Sequence, residues 1–218
     1  MLNGLLWIAS QYALRGYCVT FARGLDELEM LRRLGGNLSR PWWWLPCGHI
    51  DELQGLEGYE EFESAEDLEL FGPILQVGRD EDWAFAIEWS YPWESSRPEV
   101  LRAVSTGTVA VSVQRDSEAV AQFGYAEDGV LIARFDPLLL RARFSGDDPA
   151  WTLPLMEGKD PARIVPFLHQ AGIFSRQEGY MEAMFALTEA MGVRLEEEAV
   201  AEKLLLTGEM IPLPEERV

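Results

Sequence analysis

The chain has 218 residues, with 37 Asp and Glu against 18 Lys and Arg, which gives a formal net charge of −19 at pH 7. This balance argues against nucleic acid as a direct ligand, because proteins bind a phosphate backbone through Lys and Arg. Hydrophobic residues make up 48% of the chain, including 8 Trp and 10 Phe, so it can bury a sizeable core and is not a disordered acidic segment.

The first residues, 1–13, are largely apolar, and no Lys or Arg precedes Arg15. This stretch is too short to span a bilayer and lacks the basic start of a signal peptide. The two cysteines, Cys18 and Cys47, do not form a disulfide framework of the secreted type. We therefore expect a cytoplasmic protein with no membrane partner.

Periodicity predicts the elements of the first third. Helical spacing of leucines indicates a helix over residues 2–9, and alternation predicts a strand over 17–23. A helix is predicted over 26–34, with Leu25, Leu28, Leu31 and Leu34 on its apolar side and glycines ending it. Residues 41–49 are predicted to form a loop that holds Trp42, Trp43 and Trp44.

An acidic stretch covers residues 51–70, with nine Asp and Glu and no basic residue. Apolar residues still punctuate it, so we expect short ordered helical pieces with an acidic surface. Beyond it, strands are predicted over 74–77, 83–89, 108–113, 119–125 and 130–135, the last two forming a hairpin around Asp128 and Gly129. Helices are predicted over 98–104, 161–171, 179–191 and 196–206, and residues 212–218 as a frayed tail.

Strands in the middle and helices at both ends predict one α+β domain over residues 1–218, with a central, mainly antiparallel sheet. No internal repeat or low-complexity linker divides the chain.

Two groups of residues are candidates for a catalytic or metal site. Cys18, Cys47, His49 and His169 are every Cys and His in the chain, but their spacing is not that of a zinc site, and no third group orients a Cys47–His49 pair. Asp136, Asp147 and Asp148 could hold Mg²⁺ or Ca²⁺, although Asp-Pro dipeptides usually mark turns. We predict no catalytic residue, no metal and no cofactor from these patterns.

The strongest candidate for a site is the tryptophan run followed by the acidic stretch. Three consecutive indoles cannot all be buried on one strand face, and Trp is enriched in interface hot spots. An acidic rim beside such an anchor suits a basic partner. The predicted partner-binding residues are Trp42, Trp43, Trp44, Glu57, Glu60, Glu61, Glu63, Glu66 and Asp67.

Ten segments, taken in order, resemble an uncharacterised bacterial family that is known only as a domain of unknown function. They are CVTFARGL (18–25), LRRLG (31–35), VG (77–78), WAFAIE (83–88), LRAVS (101–105), AVSV (110–113), FGYAEDG (123–129), FDP (135–137), GDDP (146–149) and MGVRL (191–195). The resemblance covers about residues 15–200 and implies one continuous domain. It implies no activity, cofactor or partner.

The working hypothesis is a non-catalytic acidic module that sequesters or regulates a basic protein, for example by immunity-like neutralisation of a toxin. The alternatives are a metal-dependent enzyme or small-ligand binder that uses Asp136, Asp147 or Asp148, and a scaffold subunit of a larger assembly.

Overall fold

Eight strands form a single antiparallel sheet in the computed structural model, which describes residues 5–8, 16–54, 56–57, 73–89, 94–118, 120–138, 155–173 and 180–211. The strands are β1 Tyr17–Arg23, β2 Trp43–Pro46, β3 Ile74–Asp80, β4 Trp83–Glu88, β5 Val109–Arg115, β6 Ala121–Glu127, β7 Val130–Phe135 and β8 Leu204–Glu209. Their order across the sheet is β2-β8-β3-β4-β1-β5-β6-β7. Strand β1 therefore lies near the centre, and β8, the last of the described strands, lies between β2 and β3.

Within the described ranges, five α-helices cover the two faces of this sheet. They are α1 Glu27–Leu34, α2 Pro98–Val104, α3 Val165–Gln170, α4 Tyr180–Ala190 and α5 Glu197–Ala201, with 3-10 turns at Ile50–Leu53, Glu94–Ser96 and Pro161–Ile164. Residues 6–8 are also helical. None of the helices in the described part of the chain has the length and apolar character needed to cross a membrane. The α+β class and the antiparallel sheet predicted from the sequence are confirmed.

The two faces of the sheet differ in side-chain size. On one face α1 and α2 pack over small residues of the central strands, which are Ala22, Ala84, Ala86, Ala110 and Ala126. On the opposite face α3, α4 and α5 pack over large residues, which include Tyr17, Phe21, Phe85 and Phe123. Alternation along each strand sends successive side chains to opposite faces, so both layers are built from the same strands.

Capping and turn residues explain why α1 and the β6–β7 hairpin could be predicted from the sequence. Asp26 caps α1 by accepting a hydrogen bond from the Glu29 N–H (2.7 Å), and Gly35 ends it in the left-handed conformation with φ of 86°. The β6–β7 hairpin turns through Asp128 and Gly129, both with positive φ (46° and 76°), as a two-residue hairpin turn requires.

Three local predictions are wrong. Leu28 does not line the buried side of α1, since 68% of it is exposed. The predicted loop over 41–49 contains strand β2. The predicted helix over 196–206 ends at Ala201, and residues from Leu204 onward form β8 because they fill the gap between β2 and β3. The predicted tail 212–218 lies outside the described residues.

A glycine in β3 marks where the sheet and its helical layer leave no room. A Cβ on Gly78 would lie 2.6 Å from Phe85 Cζ and 2.7 Å from Leu205 Cδ2. Gly78→Ala should therefore force these buried side chains out of place and lower the free energy of unfolding by about 1–3 kcal/mol. Urea denaturation measures this, with Val120→Ala as the control, because Val120 is 53% exposed and its truncation should change stability by less than about 0.5 kcal/mol. An unchanged midpoint for Gly78→Ala would contradict the close packing of Phe85 and Leu205 over Gly78.

Candidate functional site

Two of the three predicted tryptophans are partly buried and pack against the core. The Trp42 indole covers Gly208 of β8, where a Cβ would lie 2.6 Å from Trp42 Cδ2, and its Nε1 donates to the Asn37 carbonyl (3.1 Å). Trp43 points to the other face and packs against the small cluster of Leu45, Leu53 and Ile74. Within the described residues, its buried Nε1 has no hydrogen-bond partner. These two rings therefore hold the β2 edge onto the sheet.

Trp44 is the exposed member of the run, with 55% of its surface open to solvent. It pairs with Leu206, and Pro46 two residues on pairs with Leu204, which is 56% exposed. Residues two apart on a strand share a face, so Trp44, Pro46 and Leu204 lie side by side at one end of the sheet. We call these three residues the edge patch.

The acidic residues predicted beside the tryptophans are only partly described. Glu57 is exposed. Glu60, Glu61, Glu63, Glu66 and Asp67 lie outside the described residues. The structure adds a second acidic segment that the sequence analysis did not select, because there it formed part of the predicted helix over 196–206. Glu196, Glu198 and Glu202 are exposed and come shortly before Leu204 of the edge patch along the chain, with Lys203 between Glu202 and Leu204.

Buried Gln76 on β3 fixes the turn that follows β2. Its Nε2 donates to the Pro46 carbonyl (2.9 Å) and to Thr207 Oγ1 (3.1 Å), and its Oε1 accepts from the Gly48 N–H (2.7 Å) and from Trp89 Nε1 (2.9 Å). Each polar atom of this buried amide is therefore satisfied, as burial requires. The network sets the position of the edge patch relative to the centre of the sheet.

The structure does not bring the weighed cysteine and histidine residues together. Cys18 is on β1 and Cys47 directly follows β2, and β8, β3 and β4 lie between those two strands. Asp136 Oδ1 accepts a hydrogen bond from the Leu138 N–H (2.8 Å), which is a turn contact. Asp147 and Asp148 are outside the described residues. Across the described ranges, no three His, Cys, Asp or Glu side chains group as metal ligands.

A fully buried carboxylate, Glu88 at the end of β4, is the polar centre that the sequence analysis missed. Its Oε1 accepts from the Glu94 N–H (2.7 Å), and its Oε2 accepts from the Ser95 N–H (2.9 Å) and from Ser95 Oγ (2.5 Å). The 3-10 turn Glu94–Ser96 is thereby tied to the strand. A charged residue in an otherwise apolar strand (WAFAIE) was the available signal, because acids are rarely fully buried without partners.

Burial raises the pKa of Glu88 to about 8, since desolvation of the carboxylate outweighs the hydrogen bonds from Ser95 and from the Glu94 backbone. The Ser95 contact serves both protonation states, because a hydroxyl that donates to a carboxylate can instead accept from a carboxylic acid. The Glu88 side chain therefore changes its charge near pH 8 and keeps its contact with Ser95.

Cys18, on the neighbouring strand β1, is the third member of this cluster. Ser95 Oγ lies 3.2 Å from Cys18 Sγ, and Cys18 pairs with Glu88 across the β1–β4 ladder. Burial, followed by the nearby Glu88, raises the pKa of the Cys18 thiol well above its ordinary value. A thiol that stays protonated and enclosed is a poor nucleophile. The role of the Glu88–Ser95–Cys18 cluster is therefore structural: its hydrogen bonds hold the turn at 94–96 against the sheet.

The fold and the site define an α+β protein with one antiparallel sheet, an exposed tryptophan at one end and a buried carboxylate near its middle. The model of a family of unknown function, DUF6461, matches residues 3–212, so the chain belongs to that family. This confirms the resemblance seen in the sequence. No curated protein and no solved structure gives a significant match to the chain.

The buried carboxylate makes stability depend on pH. The folded protein keeps the Glu88 proton up to about pH 8, whereas the unfolded chain releases it near the ordinary value of 4.5, so the folded state binds more protons between these values. This contribution to the free energy of unfolding is complete below about pH 4.5 and is lost as pH rises to about 8.

Glu88→Gln should remove the part of the pH dependence of the free energy of unfolding that Glu88 contributes. At about pH 5 the variant should be about 1–3 kcal/mol less stable than the parent, because the amide leaves one backbone N–H without an acceptor. The difference in free energy of unfolding between variant and parent should become smaller as pH approaches 8. Urea midpoints measured across this range test it, with Glu118→Gln on the surface as the control that keeps the parental slope. A pH-independent gap would mean that Glu88 does not titrate in this range.

Proposed function

We propose that the protein is a non-catalytic interaction module that holds a basic protein partner at the edge patch. The observation that carries this proposal is the exposure of Trp44 next to Leu204 on β2 and β8. Large apolar side chains that stand together in solvent on a rigid strand supply the kind of anchor found in hot spots. Gln76 and Trp42 hold the backbone beneath them, so binding does not require these strands to become ordered first.

The charge of the chain supports a basic partner. A net charge of −19 favours encounter with a positively charged surface and repels acidic proteins and nucleic acids. Exposed Glu196, Glu198 and Glu202 come shortly before Leu204, and Glu57 follows β2 in the chain. In this proposal the apolar patch supplies affinity, and the acids supply the rate of association and the choice of partner.

Sequestration of a basic toxin, as by an immunity protein, is one concrete form of this role, in which carboxylates occupy the place of nucleic acid phosphates. The proposal includes a cytoplasmic location and excludes a membrane or nucleic acid ligand. A scaffold role would use the same patch for self-association, which the experiment below distinguishes. The metal-dependent alternative would use Asp136, Asp147 or Asp148, and of these the Asp136 carboxylate is engaged in a turn.

The test begins by capturing proteins from the native cell lysate on the purified chain at low salt and identifying them by mass. The affinity of the chain for the purified partner is then measured. Trp44→Ser should weaken binding by about 2 kcal/mol, roughly thirtyfold, because it removes the anchor. Leu28→Ser is the matched control, since Leu28 is a 68% exposed leucine on α1, and it should leave the affinity unchanged.

The salt dependence of the same complex tests the charge part of the proposal. Affinity should fall steeply as ionic strength rises, because exposed charges are screened over a shorter distance. A captured protein that is acidic, or equal losses for Trp44→Ser and Leu28→Ser, would contradict the proposal. Capture of only the chain itself would replace it with the scaffold role.

A further inference from the structure

A cleft of about 470 Å³ lies at the opposite end of the sheet from the edge patch. Its walls come from three parts of the chain: Pro98 and Arg102 on α2, Gly129 and Val130 at the β6–β7 turn, and the segment that holds Gly158 and Lys159. This volume falls within the range of roughly 300–1,000 Å³ typical of small-molecule sites.

The walls of the cleft are held by backbone contacts. Residues 157–159 run along β7, where Arg134 and Glu157 exchange two backbone hydrogen bonds (both 2.8 Å) and the Lys159 N–H donates to the Leu131 carbonyl (3.0 Å). Gly158 has φ of 131°, and a Cβ there would lie 2.3 Å from the Ile132 carbonyl oxygen, so only glycine allows this close approach.

The opposite wall is tied to α2 at its C-terminal end. The Gly129 N–H donates to Ser105 Oγ (3.2 Å), and the Asp128 N–H donates to the Thr108 carbonyl (2.8 Å). The cleft is therefore preformed, which lowers the entropic cost of binding a ligand.

The charge of the cleft is opposite to that of the whole chain. Arg102 and Lys159 both line it, and within the described residues neither side chain forms an ion pair. Glu157, the acid in the lining, is paired with Arg134 Nη1 at 3.3 Å. In a protein with twice as many acids as bases, two cations thus line one cleft with no acidic partner among the described residues, and Pro98 and Val130 line it with them.

We propose that this cleft binds a small organic anion, whose carboxylate or phosphate group lies between Arg102 and Lys159 and whose carbon skeleton contacts Pro98 and Val130. Arg supplies a planar set of donors and Lys a compact charge, a combination that suits either oxyanion. The site is independent of the protein-binding role proposed above, because the two lie at opposite ends of the sheet.

The experiment is a titration of the ¹⁵N-labelled full chain with two probes, inorganic phosphate and succinate, at constant ionic strength, with backbone amide shifts as the readout. The amides of Gly129 and Gly158 should shift and saturate at millimolar probe concentration. Arg102→Gln with Lys159→Gln should weaken binding by at least about tenfold, the loss expected for removal of charge-assisted hydrogen bonds. The amide spectrum of this double variant also shows whether the fold is retained.

Arg23→Gln is the matched control, because Arg23 is exposed and its place in β1 puts it on the sheet face opposite α2. It should bind both probes as the parent does. Saturation by phosphate alone assigns a phosphorylated ligand, by succinate alone a carboxylate, and by both an oxyanion site of either kind. Shifts that do not saturate, or that are the same in the double variant, would overturn the proposal.

Discussion

Burial of one antiparallel sheet on both faces is the constraint on which the rest of the structure depends. Most antiparallel sheets leave one face in water, which allows polar residues on every second position. Here α1 and α2 cover one face and α3, α4 and α5 the other, so a polar side chain in the central strands must find its partners inside the protein. Glu88 and Gln76 meet this requirement in different ways, and each fixes a connecting segment in doing so: Glu88 the turn at 94–96, and Gln76 the turn after β2.

The same constraint explains why the exposed surfaces of the sheet are its two edges. A sheet with covered faces exposes its edges, and unpaired edges attract other chains. At the β7 end the segment 157–159 runs along the strand, and the cleft with Arg102 and Lys159 opens beside it. At the β2 end the short strand ends in Pro46, and the exposed surface is the ring of Trp44 beside Leu204. The proposed small anion and the proposed protein partner would therefore occupy separate surfaces.

The sequence pattern predicted the central strands of the sheet better than the strands near its β2 edge. Alternation predicted β1 and β4 because both faces of these strands are filled by apolar side chains, and Pro98, Gly35 and Asp128-Gly129 marked helix and turn boundaries. The pattern failed at β2 and β8, whose pairing partners are distant in the chain: β2 pairs with β8, and β8 pairs with both β2 and β3. Of the three predicted tryptophans, Trp44 is exposed. The packing of Trp42 and Trp43 depends on Gly208 and on the Leu53 cluster, which no local pattern relates to them. The partners of Glu88 were equally hidden, because the carboxylate is six and seven residues before the backbone groups it binds.

The most direct test of the central claim is photo-crosslinking in the native cells from a photoreactive phenylalanine analogue placed at position 44 or at position 28. The two positions are both exposed, on β2 and on α1. The account predicts that a single basic protein is crosslinked from position 44 and not from position 28, and that the adduct disappears when the cell contents are diluted into high salt before irradiation. The same products from both positions, or no product from position 44, would contradict the claim that the edge formed by β2 and β8 is the binding surface.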